Sequence, residues 1–168
     1  IIMEILKSYR YRLEPTEEQK VLLNKHFGST RFIYNHFLNE KNKQYKETKK
    51  SDNYNKQTIK LTCLKNEEGT LWLNEVNSQC LQQSLKNLET AFKNFFKKKA
   101  KYPKFKSKKG KNSFRVPQFI KVNDGRIFVP KFKEGIKLIE HRPFKGTIKQ
   151  CTFSKDCRNK YFVSILVE

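Results

Sequence analysis

Fifteen consecutive positions, 97–111, read KKKAKYPKFKSKKGK, with nine lysines and no acid. Ammonium groups at this density neutralise phosphates and release their counterions, the sequence-independent part of nucleic-acid binding. The acid-free window is wider still: between Glu89 and Asp124 twelve Lys or Arg occur, Arg115 among them, without one carboxylate. Flat side chains interleave with the charges, Tyr102 and Phe105 inside the stretch and Phe114 just after it. Such rings either stack on exposed bases or anchor the segment to a core, and both readings stand here. The lysines have no comparable structural explanation. Lys97, Lys98, Lys99, Lys101, Lys104, Lys106, Lys108 and Lys109, with Arg115, are therefore read as contacts to a nucleic-acid backbone.

A second polar constellation lies at Asn77, Ser78, Gln79, Gln82 and Gln83. Gln and Asn amides can read adenine edges in a major groove, and a Ser hydroxyl serves base or phosphate. Seen alone, the same run is a capped, solvated helix start. Lys7, Arg10, Arg12 and Arg31 are further candidates for phosphate contact, although strand edges need such charges in any case.

Cutting or joining nucleic acid usually takes two or three carboxylates around Mg²⁺. Asp52, Asp124 and Asp156 all fall in turn-forming stretches, where Asp bonds its own backbone. There is no glycine-rich phosphate loop, nucleophile elbow or His/Cys pair, so the sequence offers no catalytic residue. Cys63, Cys80, Cys151 and Cys157 form no C-x-x-C pair, and His26, His36 and His141 are dispersed. The expectation is a reduced, cytoplasmic protein with no structural zinc, other metal or cofactor in this chain. Cys63 and Cys80 fall in expected helices, as small buried apolar residues.

The 37 Lys and Arg against 16 Asp and Glu give a formal charge of +21 over 168 residues. Self-repulsion on that scale opposes the compact state and implies a polyanionic partner. With 14 Phe and 7 Tyr the chain is too aromatic for a disordered basic tail. No apolar run approaches a membrane span, and from Glu4 the chain enters a charged strand pattern, so neither a membrane nor a signal peptide is expected.

Elements must position these groups. Residues 4–14 alternate as a strand, with Ile5, Tyr9, Tyr11 and Leu13 on one face and Arg10 and Arg12 on the other. Pro15 ends it. Thr16 followed by Gln19 is a capping box that starts a helix to about Phe27, with Gly28 as its C′ residue. A second helix is expected over 30–47 and a short one around 54–66. LWLNEV, 71–76, reads as a packed turn anchored by Trp72. The strongest helix spans 78–99, where Leu81, Leu85, Leu88, Phe92, Phe95 and Phe96 follow helical spacing.

Beyond residue 111 the period becomes two. Phe114 and Val116, then Ile127 and Val129 around the Asn123-Asp124-Gly125 turn, read as a hairpin. IKLIE (136–140), TIKQCTFSK (147–155) and KYFVSILVE (160–168) make four or five late strands in all. A lone early strand must find partners, so it should join the late ones with the helices inserted between. The expected fold is α+β: a small antiparallel β-barrel, split in sequence, carrying an inserted helical bundle. The strand-rich domain takes 1–15 and 112–168, and the helical domain takes 16–111, ending in the basic connector.

Several stretches together resemble a known family: RFIYNHFLNEK (31–41), WLNEVNSQCLQQSLKNLETAFKNFFKKK (72–99), YPKFKSKKG (102–110), SFRVPQ (113–118), IFVPK (127–131) and HRPFKGTIKQCTFSKDCRNKYFVSILVE (141–168). They are similar to the N-terminal half of TnpB, the OrfB-type protein of insertion sequences and a relative of type V CRISPR effectors. The resemblance implies an RNA-guided DNA-binding protein. In that family a split, strand-rich wedge domain holds guide RNA, and an inserted helical recognition domain contacts the short motif beside the target. By resemblance, the motif-reading face falls on Tyr54 and Thr58 and on Ser78, Gln79 and Gln82, with Asn77 beside them. Sequence is then read mainly by base pairing, the protein reading shape and a few bases. In the family a G-I-D-x-G segment opening a RuvC-like nuclease follows the strand ending in VE; this chain stops at Glu168, so cutting is not carried over.

The expected role is the guide-RNA and target-DNA binding part of a TnpB-like protein, cytoplasmic and nucleoid-associated. Two alternatives remain: half of a nuclease completed by a separate RuvC-like segment, and a guide-independent regulator using residues 16–47 as a helix-turn-helix.

Overall fold

A computed structural model describes residues 3–140 and 142–168, so His141 lies outside it. The described chain is α+β. In order it forms β1 (Lys7–Glu14), α1 (Glu17–Thr48), α2 (Tyr54–Asn66), a 3₁₀ segment (Glu68–Glu75), α3 (Ser78–Phe96) and six strands: β2 (Asn112–Val116), β3 (Lys121–Asn123), β4 (Arg126–Val129), β5 (Phe132–Ile139), β6 (Ile148–Lys155) and β7 (Tyr161–Val167). It divides into two compact units, Ile1–Phe27 with Lys111–Glu168, and Gly28–Gly110. Residues 17–27 of α1 thus cluster with the strands, whereas the sequence reading began the helical insertion at 16.

The first unit is one antiparallel sheet in the order β2-β6-β7-β1-β5-β4-β3. As expected, the early strand finds partners among the late ones, pairing with β7 from Lys7 to Arg12 and with β5 from Arg12 to Glu14. Two expectations need correction. Phe114 and Val116 do not face Ile127 and Val129 across a hairpin; their strand pairs with β6 at one edge, Phe114 opposite Phe153. The hairpin arm beside β4 is Lys121–Asn123, and Asp124 and Gly125 join the arms with φ of 50° and 69°, as a two-residue type I′ turn requires. Nor does the sheet close: its outermost strands β2 and β3 are not bonded to each other, and β3, with three residues, offers little edge to pair.

One face of this sheet is the core. Tyr11, Leu13, Phe114, Val116, Ile127, Ile136, Phe153, Val163 and Ile165 are buried, together with Leu23, His26 and Phe27 of α1. The capping box forms, Gln19 N–H donating to Thr16 Oγ1 (3.2 Å) and Thr16 N–H to Gln19 Oε1 (3.0 Å). Gln19 Nε2 also donates to Gly135 O at 2.7 Å. Gly135 has φ 71°, and a Cβ there would meet the Phe128 ring at 2.8 Å.

The second unit packs around Ile33, Phe37, Leu38, Leu61, Leu73, Leu81, Leu85, Leu88 and Phe92. Its main departure from expectation is that α1 does not stop at Gly28: one helix runs from Glu17 to Thr48. A helical Gly costs about 1 kcal/mol against Ala, but buried side chains on both flanks outweigh that. Ser84 Oγ of α3 also donates to Thr30 O, at 2.7 Å. Lesser corrections follow from burial. Trp72 is exposed and meets Phe32 edge-on at 5.0 Å, Leu73 and Val76 being the buried residues of its turn. Cys80 is buried but Cys63 is exposed, and Ile5 precedes β1 and is exposed.

Candidate nucleic-acid interface

The lysine-rich segment begins where α3 ends. Lys97 caps the helix. Lys98 N–H donates to Phe95 O (3.0 Å) and Lys99 N–H to Asn94 O (2.9 Å), the paired bonds of a Schellman motif. Lys98 occupies the left-handed position of that motif at φ 59°, where glycine is usual. Phe96 therefore closes the helix, and it is 70% exposed rather than part of the apolar face assigned to it.

Two asparagines of α1 then hold the segment. Tyr102 donates its hydroxyl hydrogen to Asn42 Oδ1, and its ring meets Phe92 and Phe95 edge-on at 5.5 and 5.1 Å. The Asn35 amide takes both backbone groups of Lys106, accepting from its N–H at 2.7 Å and donating to its carbonyl at 2.8 Å. Lys106 Nζ lies 4.3 Å over the Tyr34 ring. Although Lys106 is exposed as a whole residue, burial at its ammonium end lowers its pKa. Lys97, Lys98, Lys99, Lys101, Lys104, Lys108 and Lys109 are exposed. The aromatics separate: Phe114 is 4% exposed and anchors β2, while Phe105 is 56% exposed between two lysines.

The polar residues of α2 and α3 are less uniform than their types suggest. Asn77 is the N-cap of α3, accepting from Gln79 N–H at 3.1 Å, and is itself buried. Ser78 and Gln82 are exposed one turn apart, Gln79 is half-buried, and Gln83 donates to Asn87 at 3.1 Å. Tyr54 packs against the helical core with Lys86 Nζ 5.8 Å from its ring, and Thr58 donates its hydroxyl hydrogen back to Tyr54 O at 2.9 Å. Ser78 and Gln82 thus present the most open polar groups, Asn77 the least. Arg31, half-buried on α1, belongs to the same unit.

In the sheet unit, register collects the arginines. Directly opposed residues of antiparallel strands share a face. Arg10 opposes Ser164, Ser164 opposes Thr152, and Thr152 opposes Arg115, one row across β1, β7, β6 and β2. Three strand spacings put the two arginine Cα atoms about 14 Å apart. The next row runs Arg12, Phe162, Ser154, Ser113, and the Arg10 guanidinium stacks 4.1 Å over the Phe162 ring. All these residues alternate away from the buried face, and each is exposed or half-buried. Guanidinium groups bracketing hydroxyls suit a sugar–phosphate backbone, which accepts from both. Lys7 alternates onto the opposite face, with Tyr9, and does not join the row.

Several of these residues escaped sequence reasoning. Asn35 and Asn42 are seven apart on α1, hence two turns apart on one face, and that spacing was the available signal. Ser164 and Phe162 were legible only as the non-buried half of an alternating strand.

Of the three aspartates Asp156 bonds the backbone as expected, whereas the Asp52 carboxylate is held by side chains instead of closing a turn. Asp124 sits in the β3–β4 turn, and Asp156 accepts from the N–H groups of Arg158 and Lys160, each at 2.9 Å. Asp52 pairs with Lys60 and with the Gln44 amide, and those bonds hold its carboxyl below the usual range. Among the described residues no group of three or more His, Cys, Asp or Glu could hold a metal ion, and no helix is long and apolar enough to cross a membrane.

Comparison with known proteins agrees with this picture in part. A family model described as a helix-turn-helix domain, of OrfB type, matches residues 3–50. In the structure that stretch is a strand and a single helix with no turn at Gly28. The chain is 36% identical over 168 residues to "Putative RNA-guided DNA endonuclease InsQ" of Escherichia coli K12, covering 99% of this chain and 41% of that protein. A "Putative RNA-guided DNA endonuclease" of Streptomyces pristinaespiralis is 31% identical over 172 residues, covering 100% of this chain and 43% of its own length. "Virulence protein VsdF" of Salmonella dublin is 34% identical over 116 residues, 64% of this chain and 98% of that one. The chain thus spans about two-fifths of the length of the first two relatives.

Proposed function

The chain belongs to the TnpB/OrfB family of insertion-sequence proteins, and on that basis we propose that it is the nucleic-acid-binding part of an RNA-guided DNA endonuclease. The observation that carries the reading is the basic segment 97–110, acid-free and pinned at Tyr102 and Lys106, with Lys97, Lys98, Lys99, Lys101, Lys104 and Lys109 exposed. A merely solvated loop has no need of such fixing. A surface that must meet a phosphate backbone gains from it, because less freedom is given up on binding.

In this reading the sheet unit is the wedge domain, a barrel in the family's sense though open here, and its Arg10–Arg115 row lies along guide RNA. The helical unit is the recognition domain. Ser78, Gln79 and Gln82, with Tyr54 and Thr58, face a short duplex motif beside the target, while the basic segment and Arg31 hold backbone. Any cutting belongs to a RuvC-like nuclease segment outside this chain. The protein works in the cytoplasm, at the nucleoid, on double-stranded DNA.

The guide-independent helix-turn-helix reading is disfavoured by one observation. A recognition helix must leave its partner at a turn, and α1 passes through Gly28 without one.

Two sets of substitutions separate the roles. Replacing Lys99, Lys101, Lys104 and Lys109 by Gln should weaken binding of any duplex or RNA alike. The salt slope should fall by roughly 0.7–0.9 for each phosphate that is no longer neutralised. Gln79→Ala with Gln82→Ala should leave that slope alone and change the preference among short duplex motifs in a randomised-site selection. A lysine variant with unchanged affinity and slope would remove the backbone role of the segment.

A further inference from the structure

Phe105 is placed where a large apolar ring is costly. It is 56% exposed, between Lys104 and Lys106, in a window without acids from residue 90 to 123. Its position has a local cause. The Asn35 amide fastens both backbone groups of Lys106, and the Lys106 ammonium lies over Tyr34. Here the chain is neither helix, strand nor turn, so that fastening is what holds residue 106, and the ring beside it is left exposed. Tyr102, three residues earlier, shows the alternative, since its ring is tucked against Phe92 and Phe95.

We propose that Phe105 is a stacking position for an unpaired nucleobase, with Lys104 and the neighbouring lysines taking the phosphates that flank it. The proposal rests on the nucleic-acid reading above and adds the ligand's state: single-stranded at this point, because a base within a duplex already has neighbours on both faces. Charge decides against an apolar protein pocket as the occupant. A protein would have to bury the ring while its surface met lysines, whereas a nucleotide supplies a π-face and an anion together. Stacking is indifferent to base identity, so Phe105 would contribute affinity for opened strands and no sequence preference.

The test uses the 168-residue chain with two probes of equal length: a blunt DNA duplex, and a duplex with a single-stranded extension carrying 2-aminopurine. The wild type should quench 2-aminopurine at one position of the extension and bind the extended probe more tightly than the blunt one. Phe105→Leu, which keeps an apolar side chain, should abolish the quenching and weaken the extended probe roughly 5- to 150-fold, the range expected when one base stack is removed. Phe105→Tyr should restore both, and blunt-duplex affinity should be the same for all three. If Phe105→Leu quenches and binds as the wild type does, the stacking role is wrong and the ring serves an apolar contact. If the wild type binds neither probe, the nucleic-acid reading falls with it.

Discussion

His26 lies 1% exposed between the rings of Phe114 (4.9 Å) and Phe132 (5.3 Å), with Nδ1 against the Leu22 carbonyl at 2.8 Å. Desolvation, against the opposing pull of that carbonyl and with help from Lys131, pushes its pKa down to about 4. An unfolded histidine takes a proton near 6.5, so between the two values the unfolded chain binds more protons. Stability should fall as pH drops from about 6.5 towards 4, by up to about 3 kcal/mol from this residue. Urea unfolding at stepped pH should show that decline, and His26→Leu should flatten it; an equal decline in the variant would assign it to other groups. Single residues were also where the sequence said least. Phe105 and Phe114 occur in similar basic surroundings, and nothing local separates an exposed ring from a buried one. The difference comes from Asn35, seventy residues away, and from the pairing of β2 with β6.

Element by element, more was legible. The capping box, the apolar face of α3 from Leu81 to Phe92 and the Asp124-Gly125 turn follow from spacing and turn chemistry. What spacing misjudged was competition between local preference and packing. Gly28 is a good terminator in isolation, yet Leu23 and Phe27 before it and Ile33 and Phe37 after it are buried, and their packing keeps α1 whole. A Cβ added at Gly28 would meet only Arg31 Nη2 at 3.7 Å, an ordinary contact. Gly28→Ala should therefore stabilise the protein by about 0.5–1 kcal/mol. A helix-turn-helix with Gly28 in the left-handed conformation would instead be destabilised by the same change, so thermal or urea denaturation distinguishes the two. Strand partners were illegible for another reason. Pairing between strands far apart in the chain leaves no local mark, and β2 went to the far edge of the sheet from the hairpin expected of it.

For the molecule as a whole, a charge of +21 is the fact the fold must live with. The lysines of 97–109 occupy one pinned segment of the helical unit, and Arg10, Arg12 and Arg115 share one face of the sheet unit. The central claim of the proposed function is that each unit offers its charge to a nucleic acid, one of them a guide RNA. Purifying the protein from its native host and sequencing whatever nucleic acid stays bound is the decisive test. The account predicts one defined non-coding RNA, retained at low salt and shed as salt rises. Protein that emerges free of RNA and by itself shifts a palindromic DNA would contradict it.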